Sequence, residues 1–295
     1  MIYTFTANPA IDYHIYSEST VSEQVNRVHK SYFELGGKGI NVSKVLSQLG
    51  VPSVCLTFFD DMFWSMFRVA MDRYNLVTFR PVHIDGQIRE NVKIHSEKLY
   101  EFNSEPKGVT KENIEELLSA TERITSEDYL VVSGSGIHEF PDLYDQLVSR
   151  ISKEKPQVIV DTPSKYYDKF WDTKPILLKP NKNELECYFE KKIKDEEIVD
   201  YAKKLIEKGA QNVLVSDGKS GSYFVTNQGS YRIKGIEKDY ENTVGAGDSQ
   251  VAGFIANYLI THDSLEAYEA AHQAALSFLE QDYKKVYAFE IEDIK

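Results

Sequence analysis

Short apolar stretches alternate with segments of helical periodicity along most of the chain. Apolar residues at helical spacing predict helices over residues 40–49, 142–152, 196–208, 246–260 and 264–280. Short apolar runs predict strands at residues 1–5, 129–132, 157–161, 176–179 and 213–216. Strands separated by helices in this way are typical of a mostly parallel sheet that is covered on both faces. We therefore expect an α/β fold in which residues 1–295 form a single domain.

Two segments depart from this rhythm. Residues 11–33 and 88–103 alternate polar and apolar positions and show no helical stripe. Such alternation predicts half-exposed antiparallel strands. We expect these strands to form a small sheet that stands off the main body. Ligands of open α/β sheets bind at the carboxyl ends of the strands, so a sheet over that edge would act as a lid that excludes water.

The composition is that of a globular protein with an acidic balance. Of the 295 residues, 42% are hydrophobic and 27% are charged. Lys and Arg total 34 and Asp and Glu total 46, so the formal net charge at pH 7 is −12. A general nucleic-acid or anionic-membrane binder needs a basic face, and this balance argues against both classes. It leaves room for a local basic pocket that binds an anionic ligand.

The cysteines and the start of the chain bear on the cellular compartment. Cys55 and Cys187 lie far apart and form no CxxC pattern, so we expect neither a disulfide framework nor a zinc site. We interpret both as small core residues. No positively charged segment precedes an apolar stretch at the start, and no apolar run approaches the length of a membrane span. We expect a cytoplasmic protein.

Several common catalytic patterns are missing. The P-loop pattern fails because Gly39 follows Gly37-Lys38, and the dinucleotide pattern GxGxxG is not completed after Gly134 or Gly245. The patterns HExxH and GxSxG do not occur. These absences argue against a P-loop NTPase, a dehydrogenase, a zinc protease and an α/β-hydrolase.

The strongest chemical signal opens the helix predicted over residues 246–260. The segment reads Asn242-Thr243-Val244-Gly245-Ala246-Gly247-Asp248-Ser249. Small residues let the backbone N–H groups at a helix start point outward, where the positive end of the helix helps them to bind an anion. Asp248 would lie beside this anion hole and could take a proton from an attacking hydroxyl. The local sequence fits equally well an ordinary capped helix with an acidic first turn.

Three further segments carry the residue types of a ligand site, although the first two alone fit an ordinary structural role better. Gly36-Gly37-Lys38-Gly39-Ile40-Asn41 combines a close-approach backbone with a cation and an amide. In Lys179-Pro180-Asn181-Lys182-Asn183-Glu184, Asn181 and Glu184 could face a metal–phosphate group together. Val215-Ser216-Asp217-Gly218-Lys219-Ser220-Gly221 could hold a nucleotide. The alternatives are a flexible turn, a capped first turn and a hairpin.

Charged residues also occur on the predicted lid strands. Arg27, Arg89 and Lys93 could together bind a substrate phosphate, although singly such residues are usually surface charges. Asp12, which follows Asn8-Pro9-Ala10-Ile11, is a single acid that we place at a strand end.

The order of these segments along the chain resembles that of the ribokinase-like carbohydrate kinases. The series runs NPAID, GGKGIN, SGS, KPNKNE, VSDGxxG and NTVGAGDS. NPAID, RENVK and NTVGAGDSQVAGF are similar to the branch that contains 1-phosphofructokinases and tagatose-6-phosphate kinases. The resemblance covers nearly the whole chain and is weakest at its C-terminal end. It implies a three-layer α/β sandwich with a small β-sheet lid, and transfer of a phosphoryl group from ATP to a sugar phosphate with Mg²⁺.

The resemblance also implies roles for residues at matching positions. The catalytic base would be Asp248, with an anion hole formed by Gly245, Ala246 and Gly247. The positions that hold sugar hydroxyls are Asp12, Gly37 and Asn41. The positions that bind the phosphate already on the substrate are Arg27, Lys38 and Arg89. The nucleotide and metal region contains Lys179, Asn181 and Glu184, and the loop along the ATP phosphates and ribose contains Ser216, Asp217, Gly218 and Gly221.

Four segments differ from the family pattern. A Gly-Gly turn is usual where this chain reads FDDMFW at residues 59–64, and SGSLPxG is usual where it reads SGSGIHE at residues 133–139. DTSG is usual where it has DTPS at residues 161–164, and the small-residue segment beside the adenine is replaced by QDYKK at residues 281–285. The first two differences concern the sugar side, and the last concerns nucleotide preference and ion effects.

The resemblance leads us to expect a sugar-phosphate kinase most like 1-phosphofructokinase, which converts fructose 1-phosphate and ATP into fructose 1,6-bisphosphate and ADP. Tagatose 6-phosphate is the alternative substrate. From a different class, the chain could be a catalytically silent sugar-phosphate binding protein, an idea that the altered sugar-side loops suggest. The exposed strand edges of the lid would also suit a homodimer.

Overall fold

The computed structural model describes residues 1–70, 73–236, 238, 240 and 243–294. Asn242, the first residue of the segment singled out above, lies outside the described residues. The strands are β1 Ile2–Thr6, β2 Ala10–Tyr16, β3 Lys30–Gly36, β4 Ser53–Phe59, β5 Val77–His83, β6 Arg89–His95, β7 Leu99–Asn103, β8 Tyr129–Ser133, β9 Gln157–Asp161, β10 Leu177–Leu178, β11 Asn212–Ser216, β12 Gly221–Thr226, β13 Ser230–Lys234 and β14 Ile291–Asp293. The helices are α1 Lys38–Gln48, α2 Asp61–Ala70, α3 Lys111–Ser119, α4 Leu143–Ile151, α5 Lys182–Tyr188, α6 Ile198–Lys208, α7 Ala246–Thr261 and α8 Ser264–Glu280.

Ten strands form one large sheet in the order β14-β13-β12-β11-β10-β9-β8-β1-β4-β5. From β5 to β11 every neighbouring pair is parallel. From β11 to β14 the pairs are antiparallel. This confirms the mostly parallel central sheet, and it adds an antiparallel edge that the sequence analysis did not include.

Helices cover both faces of the large sheet because its strands are apolar on both sides. Along β8, Leu130 and Val132 belong to one buried cluster and Val131 belongs to the other. The first cluster contains residues of α2, α3, α4 and α6, and the second contains residues of α1, α7 and α8. The fold is therefore the three-layer α/β sandwich that we expected. Within the part of the chain that the structure describes, none of the helices combines the length and the apolar character that crossing a membrane requires.

The small sheet has the order β3-β2-β6-β7 and matches the two alternating segments. Residues 11–33 contain β2 and most of β3, joined by a stretch without strand structure. One detail of the prediction was wrong, because β2 and β6 are parallel while the two outer pairs are antiparallel. The alternating pattern specifies which residues face each side of a strand, but strand direction depends on pairing between distant segments.

Two smaller expectations were also wrong. Cys55 is buried as expected, but Cys187 is exposed on α5. Asp12 does not end a strand but lies in the middle of β2, where it pairs across to Glu34 and Asn91. β2 begins at Ala10, directly after Pro9 and one residue before the predicted segment 11–33.

Candidate active site

The segments singled out in the sequence meet at one edge of the large sheet. β1, β8, β9, β10 and β11 run parallel, so their carboxyl ends point the same way. The polar residues that follow these strands therefore come together at the edge where open α/β sheets bind their ligands. The start of α7 lies at this edge as well, because the Nζ of Lys179, which follows β10, would be 3.1 Å from a Cβ added at Gly247.

The first turn of α7 has the geometry of an anion hole. Gly245 precedes the helix with φ +100°, a left-handed conformation that residues with a side chain rarely adopt. The Ala246 N–H donates to the Thr243 carbonyl at 3.1 Å, and the Ser249 N–H donates to the Gly245 carbonyl at 2.9 Å. The N–H groups of Gly247 and Asp248 therefore precede the first intrahelical hydrogen bond, where N–H groups point out of the helix. The Ser249 hydroxyl donates to the Gly245 carbonyl at 2.8 Å and so takes part in the helix start.

Asp248 is oriented by the helix that follows β3. The Asn41 side-chain amide on α1 donates to Asp248 Oδ2 at 2.8 Å, across 207 positions of sequence. The carboxylate is buried, with 6% of the residue exposed. Because Asn41 engages one carboxylate oxygen, the other remains for the proton of a bound hydroxyl.

The pKa of Asp248 is raised from 3.8 to about 6, chiefly by burial and also by the negative charge of Asp161. Lys38, Asn41 and Lys179 oppose the shift. A carboxylate with a pKa near 6 is a stronger base than an ordinary Asp and is still ionised at neutral pH. These are the properties that general-base catalysis requires.

Asp161 at the end of β9 is the electrostatic centre of the site. Its Oδ1 lies 2.9 Å from Lys38 Nζ and 3.5 Å from Lys179 Nζ, and its side chain is fully buried. Burial alone would raise the pKa of Asp161, but the two ammonium groups lower it. Two cations thus converge on one carboxylate directly beside the anion hole. Asp161 Oδ2 is buried without a hydrogen-bond partner among the described residues.

Lys38 faces three carboxylates. Burial opposes its charge, yet Asp161, Glu184 and Asp248 together raise the pKa of Lys38. Its Nζ lies 3.8 Å from Glu184 Oε1, and 36% of its side chain is exposed. Lys38 is therefore a fixed cation that remains accessible to an incoming phosphate.

The start of α5 fits both descriptions that the sequence left open. Asn181 Oδ1 accepts from the Glu184 N–H at 2.8 Å, and Glu184 Oε2 accepts from the Asn181 N–H at 2.9 Å. This is a capping box, so the ordinary structural role exists. The same arrangement leaves Glu184 Oε1 facing Lys38, and burial raises the pKa of Glu184.

A cavity of about 560 Å³ adjoins this edge of the sheet. Its lining includes the residues Asn181, Ser216, Gly218, Gly221, Ala246 and Gly247. Asp217 takes part through its backbone, because its N–H donates to the Gly221 carbonyl at 2.9 Å and shapes the turn between β11 and β12. The turn is therefore a hairpin that also borders a cavity large enough for a nucleotide.

The lid contributes a polar cluster around Asp12. Its Oδ1 accepts from Asn91 Nδ2 at 2.6 Å, and its Oδ2 lies 3.0 Å from Lys93 Nζ. A Cβ added at Gly36 would lie 2.8 Å from Asp12 Oδ2, so only glycine permits this approach of β3. Asp12, Asn41, Lys93 and Gly245 all line a second cavity of about 260 Å³.

The basic residues of the lid are in different situations. Arg89, the first residue of β6, is half-buried, and burial lowers the pKa of its guanidinium against the effects of Asp12 and Glu105. Its Nε is buried without a hydrogen-bond partner among the described residues. Arg27 lies exposed between β2 and β3, where its carbonyl accepts from the Ser17 hydroxyl at 3.3 Å. The structure thus brings Arg89 and Lys93 to Asp12 but leaves Arg27 at the surface.

The sequence analysis missed Asp161 and Asn91 as site residues. Asp161 was visible as the acid that ends a buried strand, the same signal that drew attention to Lys179 and Ser216. Asn91 is two residues after Arg89 on the same strand, and the alternation of β6 places both on one face. Among the described residues, no group of three or more His, Cys, Asp or Glu side chains is placed to hold a metal ion.

Comparison with known proteins accords with this geometry. A profile of the pfkB family of carbohydrate kinases matches residues 6–282. The chain is 33% identical over 258 residues to 1-phosphofructokinase of Bacillus subtilis (strain 168), covering 87% of this chain and 85% of that protein. It is 29% identical over 258 residues to D-tagatose-1-phosphate kinase of Bacillus licheniformis, covering 86% of this chain and 84% of that protein.

A solved structure supports the fold independently. Phosphofructokinase-2 from Escherichia coli, in complex with substrates and products, superposes with a TM-score of 0.87 at 24% identity, covering 94% of this chain and 92% of that one. The matched profile spans the Asp12 cluster, the Asp161 cluster and the start of α7. The chain therefore belongs to the pfkB family of carbohydrate kinases and is a phosphotransferase.

Proposed function

We propose that this kinase transfers the γ-phosphoryl group of ATP to the free primary hydroxyl of a ketohexose 1-phosphate, with fructose 1-phosphate as the preferred substrate. The observation that carries the proposal is the pairing of a buried carboxylate, Asp248, with the N–H groups at the start of α7. The choice of sugar rests on the relatives named 1-phosphofructokinase, which match at 33% identity over most of the chain.

In this mechanism Asp248 acts as the general base. The O6 hydroxyl gives its proton to the Asp248 oxygen that Asn41 does not engage, and the O6 lone pair attacks the γ-phosphorus. A new O–P bond forms while the bond to the bridging oxygen of ADP breaks. The products are fructose 1,6-bisphosphate, ADP and a proton held by the carboxylate.

Positive charge and oriented N–H groups stabilise the group in transfer. The Gly247 and Asp248 N–H groups at the start of α7 are directed at the transferring phosphoryl group, with Gly245 and Ala246 shaping the turn. Lys179 lies beside this turn and adds positive charge there. Phosphoryl transfer depends mainly on positioning and on stabilising charge, which this arrangement supplies.

The residues also fit the Mg²⁺ that such a reaction uses. A magnesium ion that is bound by nucleotide phosphates needs only one or two protein carboxylates, often through water. Glu184 is a half-buried carboxylate whose Oε1 points toward Lys38 and whose Oε2 is fixed by the Asn181 N–H. We assign Glu184 to that ion, which when bound neutralises charge on the ATP phosphates.

Substrate recognition would combine the lid with the α1 turn. Asp12 and Asn41, with the backbone at Gly37, would hold sugar hydroxyls, and Arg89 and Lys38 would bind the existing phosphate. Lys93, which pairs with Asp12 at 3.0 Å, adds a third cation to that region. Arg27 could join them only if the exposed segment that carries it moved or met another molecule. The nucleotide would occupy the 560 Å³ cavity beside Ser216, Gly218 and Gly221, with Asn181 and Lys179 toward its phosphates.

An ADP-release assay over a panel of sugars tests this proposal. We expect the highest kcat/KM with fructose 1-phosphate, a lower value with tagatose 1-phosphate and tagatose 6-phosphate, and a value at least 100-fold lower with free fructose, because the basic residues then lack a partner. If the enzyme clearly prefers either tagatose phosphate, that compound replaces fructose 1-phosphate as the proposed substrate. No ADP release with any sugar phosphate would favour the silent binding protein instead.

Since ATP and sugar phosphates are intracellular metabolites, we also propose a cytoplasmic location.

We further propose that the lid pairs with the lid of a second copy. In β6 the polar residues Asn91 and Lys93 are buried while Val92 and Ile94 are half-exposed, the reverse of an ordinary surface strand. One row across the outer face reads Phe33, Tyr13, Val92 and Phe102. Phe33 is 49% and Phe102 is 60% exposed. An apolar sheet face of this kind is typical of an interface between chains.

Sedimentation of a double variant tests the dimer. Phe33→Asp combined with Phe102→Asp places two charges in the row and should halve the measured mass. Ile260→Asp, at a residue of α7 that is 78% exposed, should leave the mass unchanged. A monomeric unmodified protein, or a double variant that still dimerises, would exclude this interface.

A further inference from the structure

Asp60 is a buried acid outside the site described so far. It follows β4 and precedes α2, and 6% of the residue is exposed. Its Oδ1 accepts from the Phe63 N–H at 2.8 Å, which caps the first turn of α2. Its Oδ2 accepts from the Ile88 N–H at 2.9 Å, on a segment 28 positions later in the chain. The two oxygens of one carboxylate thus join the main body to a distant segment.

That distant segment consists of residues 87–88, which directly precede the lid strand β6 and are called its root below. Ile88 directly precedes Arg89, the first residue of β6. The root is also fixed on its other side, because Gln87 and Lys107 exchange two backbone hydrogen bonds of 3.0 and 2.8 Å. Between them, these contacts tie the root of β6 to the body through Asp60 and to the returning chain through Lys107.

The residue directly after the root is Arg89, and the orientation of its guanidinium matters for binding a phosphate. Arg89 has a buried Nε without a hydrogen-bond partner among the described residues. A guanidinium binds phosphate through a planar fork, so a small rotation of its backbone misdirects it more than it would a point charge. The backbone N–H that Asp60 holds is the one immediately before Arg89, and that bond limits such rotation.

We propose that Asp60 is a positioning residue for sugar-phosphate binding: by holding the Ile88 N–H, it aims the Arg89 guanidinium at the phosphate already on the substrate. This inference rests on the proposed function, because it requires a phosphorylated substrate at Arg89.

Two substitutions separate the tether from the helix cap. Asp60→Ser retains a hydroxyl that can cap α2 but has only one oxygen, so it cannot also reach Ile88. Asp60→Asn places an amide N–H group against one of the two backbone N–H donors. With either variant we expect KM for fructose 1-phosphate to rise about tenfold, while kcat and KM for ATP stay within twofold of the unmodified enzyme. Asp61→Asn is the matched control, since its side chain is 97% exposed and lies on the adjacent position of the same turn.

A double-mutant cycle with Arg89→Ala provides the decisive readout. If Asp60 acts through Arg89, Asp60→Ser raises KM for fructose 1-phosphate less than twofold in the Arg89→Ala background. Equal effects in both backgrounds, or an unchanged KM in the single variants, would overturn the inference while the proposed function stands. If the unmodified protein phosphorylates no sugar phosphate at all, the proposed function fails and this inference fails with it. Thermal unfolding of each variant verifies that the compared proteins are folded.

Discussion

At the scale of single residues, the site concentrates charge where a protein ordinarily avoids it. Asp161 and Asp248 are buried at the same edge of the sheet, and among the described residues two lysines and an asparagine compensate them. Burial of a carboxylate is costly unless it is paired. The raised pKa of Asp248 records that cost, because a carboxyl that is easier to protonate in the folded protein is destabilised in its ionised form.

The first prediction concerns stability against pH. The pKa of Asp248 is about 6 in the folded protein and 3.8 as an ordinary Asp, so the folded state binds more protons between these values. Stability therefore falls as pH rises through this window, and above it the ionised carboxylate costs about 3 kcal/mol. We expect Asp248→Asn to raise the free energy of unfolding at pH 8, with the gain shrinking toward pH 4. Denaturant titrations at several pH values measure this, and a gain independent of pH would contradict the assigned cause.

The second prediction concerns the pH dependence of catalysis. The acidic limb of kcat/KM, which reports ionisation of the free enzyme, should lie near pH 6, where Asp248 loses the proton that blocks its action as a base. Asp161→Asn removes a negative charge that raises the pKa of Asp248, so the limb should shift to lower pH. The same substitution leaves Lys38 and Lys179 without their partner and should lower the free energy of unfolding by roughly 3 kcal/mol.

Asp145→Asn serves as the control for that experiment. Asp145 also pairs with a lysine, Lys169, but its side chain is 51% exposed and lies on α4. An exposed pair contributes little, so stability should change by less than about 1 kcal/mol and the pH–rate profile should not move. A limb that stays at the same pH in Asp161→Asn would remove Asp161 from the electrostatic account.

At the scale of elements, the first turns of α5 and α7 both begin a helix and position groups of the site. α5 begins with a capping box that satisfies its own first turn and also fixes the carboxylate assigned to Mg²⁺. α7 begins with a glycine turn that exposes its N–H groups instead of capping them. Local helix chemistry thus positions these ligand groups.

The third prediction compares two capping boxes in the same protein. Asn181→Ala at α5 and Thr110→Ala at α3 both remove an N-cap acceptor and should each cost about 1 kcal/mol of stability. Only Asn181→Ala should also raise the Mg²⁺ concentration that gives half-maximal activity, by about threefold, because it releases the turn that orients Glu184. An equal Mg²⁺ dependence in the two variants would show that the box has a purely structural role.

At the scale of the whole molecule, the acidic balance and the basic pocket are compatible. The formal charge is −12, yet three cations lie around the site: Lys38 pairs with Asp161 at the edge of the large sheet, Lys93 pairs with Asp12 on the lid, and Arg89 begins the same lid strand. Both substrates are anions, so they are attracted by the local field of that edge and not by the net charge. The composition therefore excludes classes of partner without describing the site.

Much of the fold follows from local pattern. The predicted helix over residues 264–280 has the bounds of α8, and the predicted strand over residues 157–161 has those of β9. The helix is long and the strand is strongly apolar, so the spacing of hydrophobic residues identifies both directly. β10 is only two residues long, which is too short for the sequence pattern to define its ends. The parallel direction of the β2–β6 pair also has no local signal, because the two strands are far apart in the chain.

The site could be predicted in part for the same reason. One short segment contains Gly245, Gly247 and Asp248, and its residue types alone indicate an anion hole beside a carboxylate. The contacts that tune it are distant: Lys38 meets Asp161 across 123 positions and Asn41 meets Asp248 across 207. Only the topology of the sheet brings these residues together, so the sequence did not show that Asp161 meets Lys38.

The most direct test of the account compares the unmodified enzyme with Asp248→Asn in an ADP-release assay on fructose 1-phosphate, together with a separate binding measurement for the sugar. The amide can still receive a hydrogen bond from Asn41 but cannot take a proton. We predict that kcat falls by about 10³-fold while the Kd for fructose 1-phosphate changes less than threefold. Turnover within tenfold of the unmodified enzyme would contradict the assignment of Asp248 as the base.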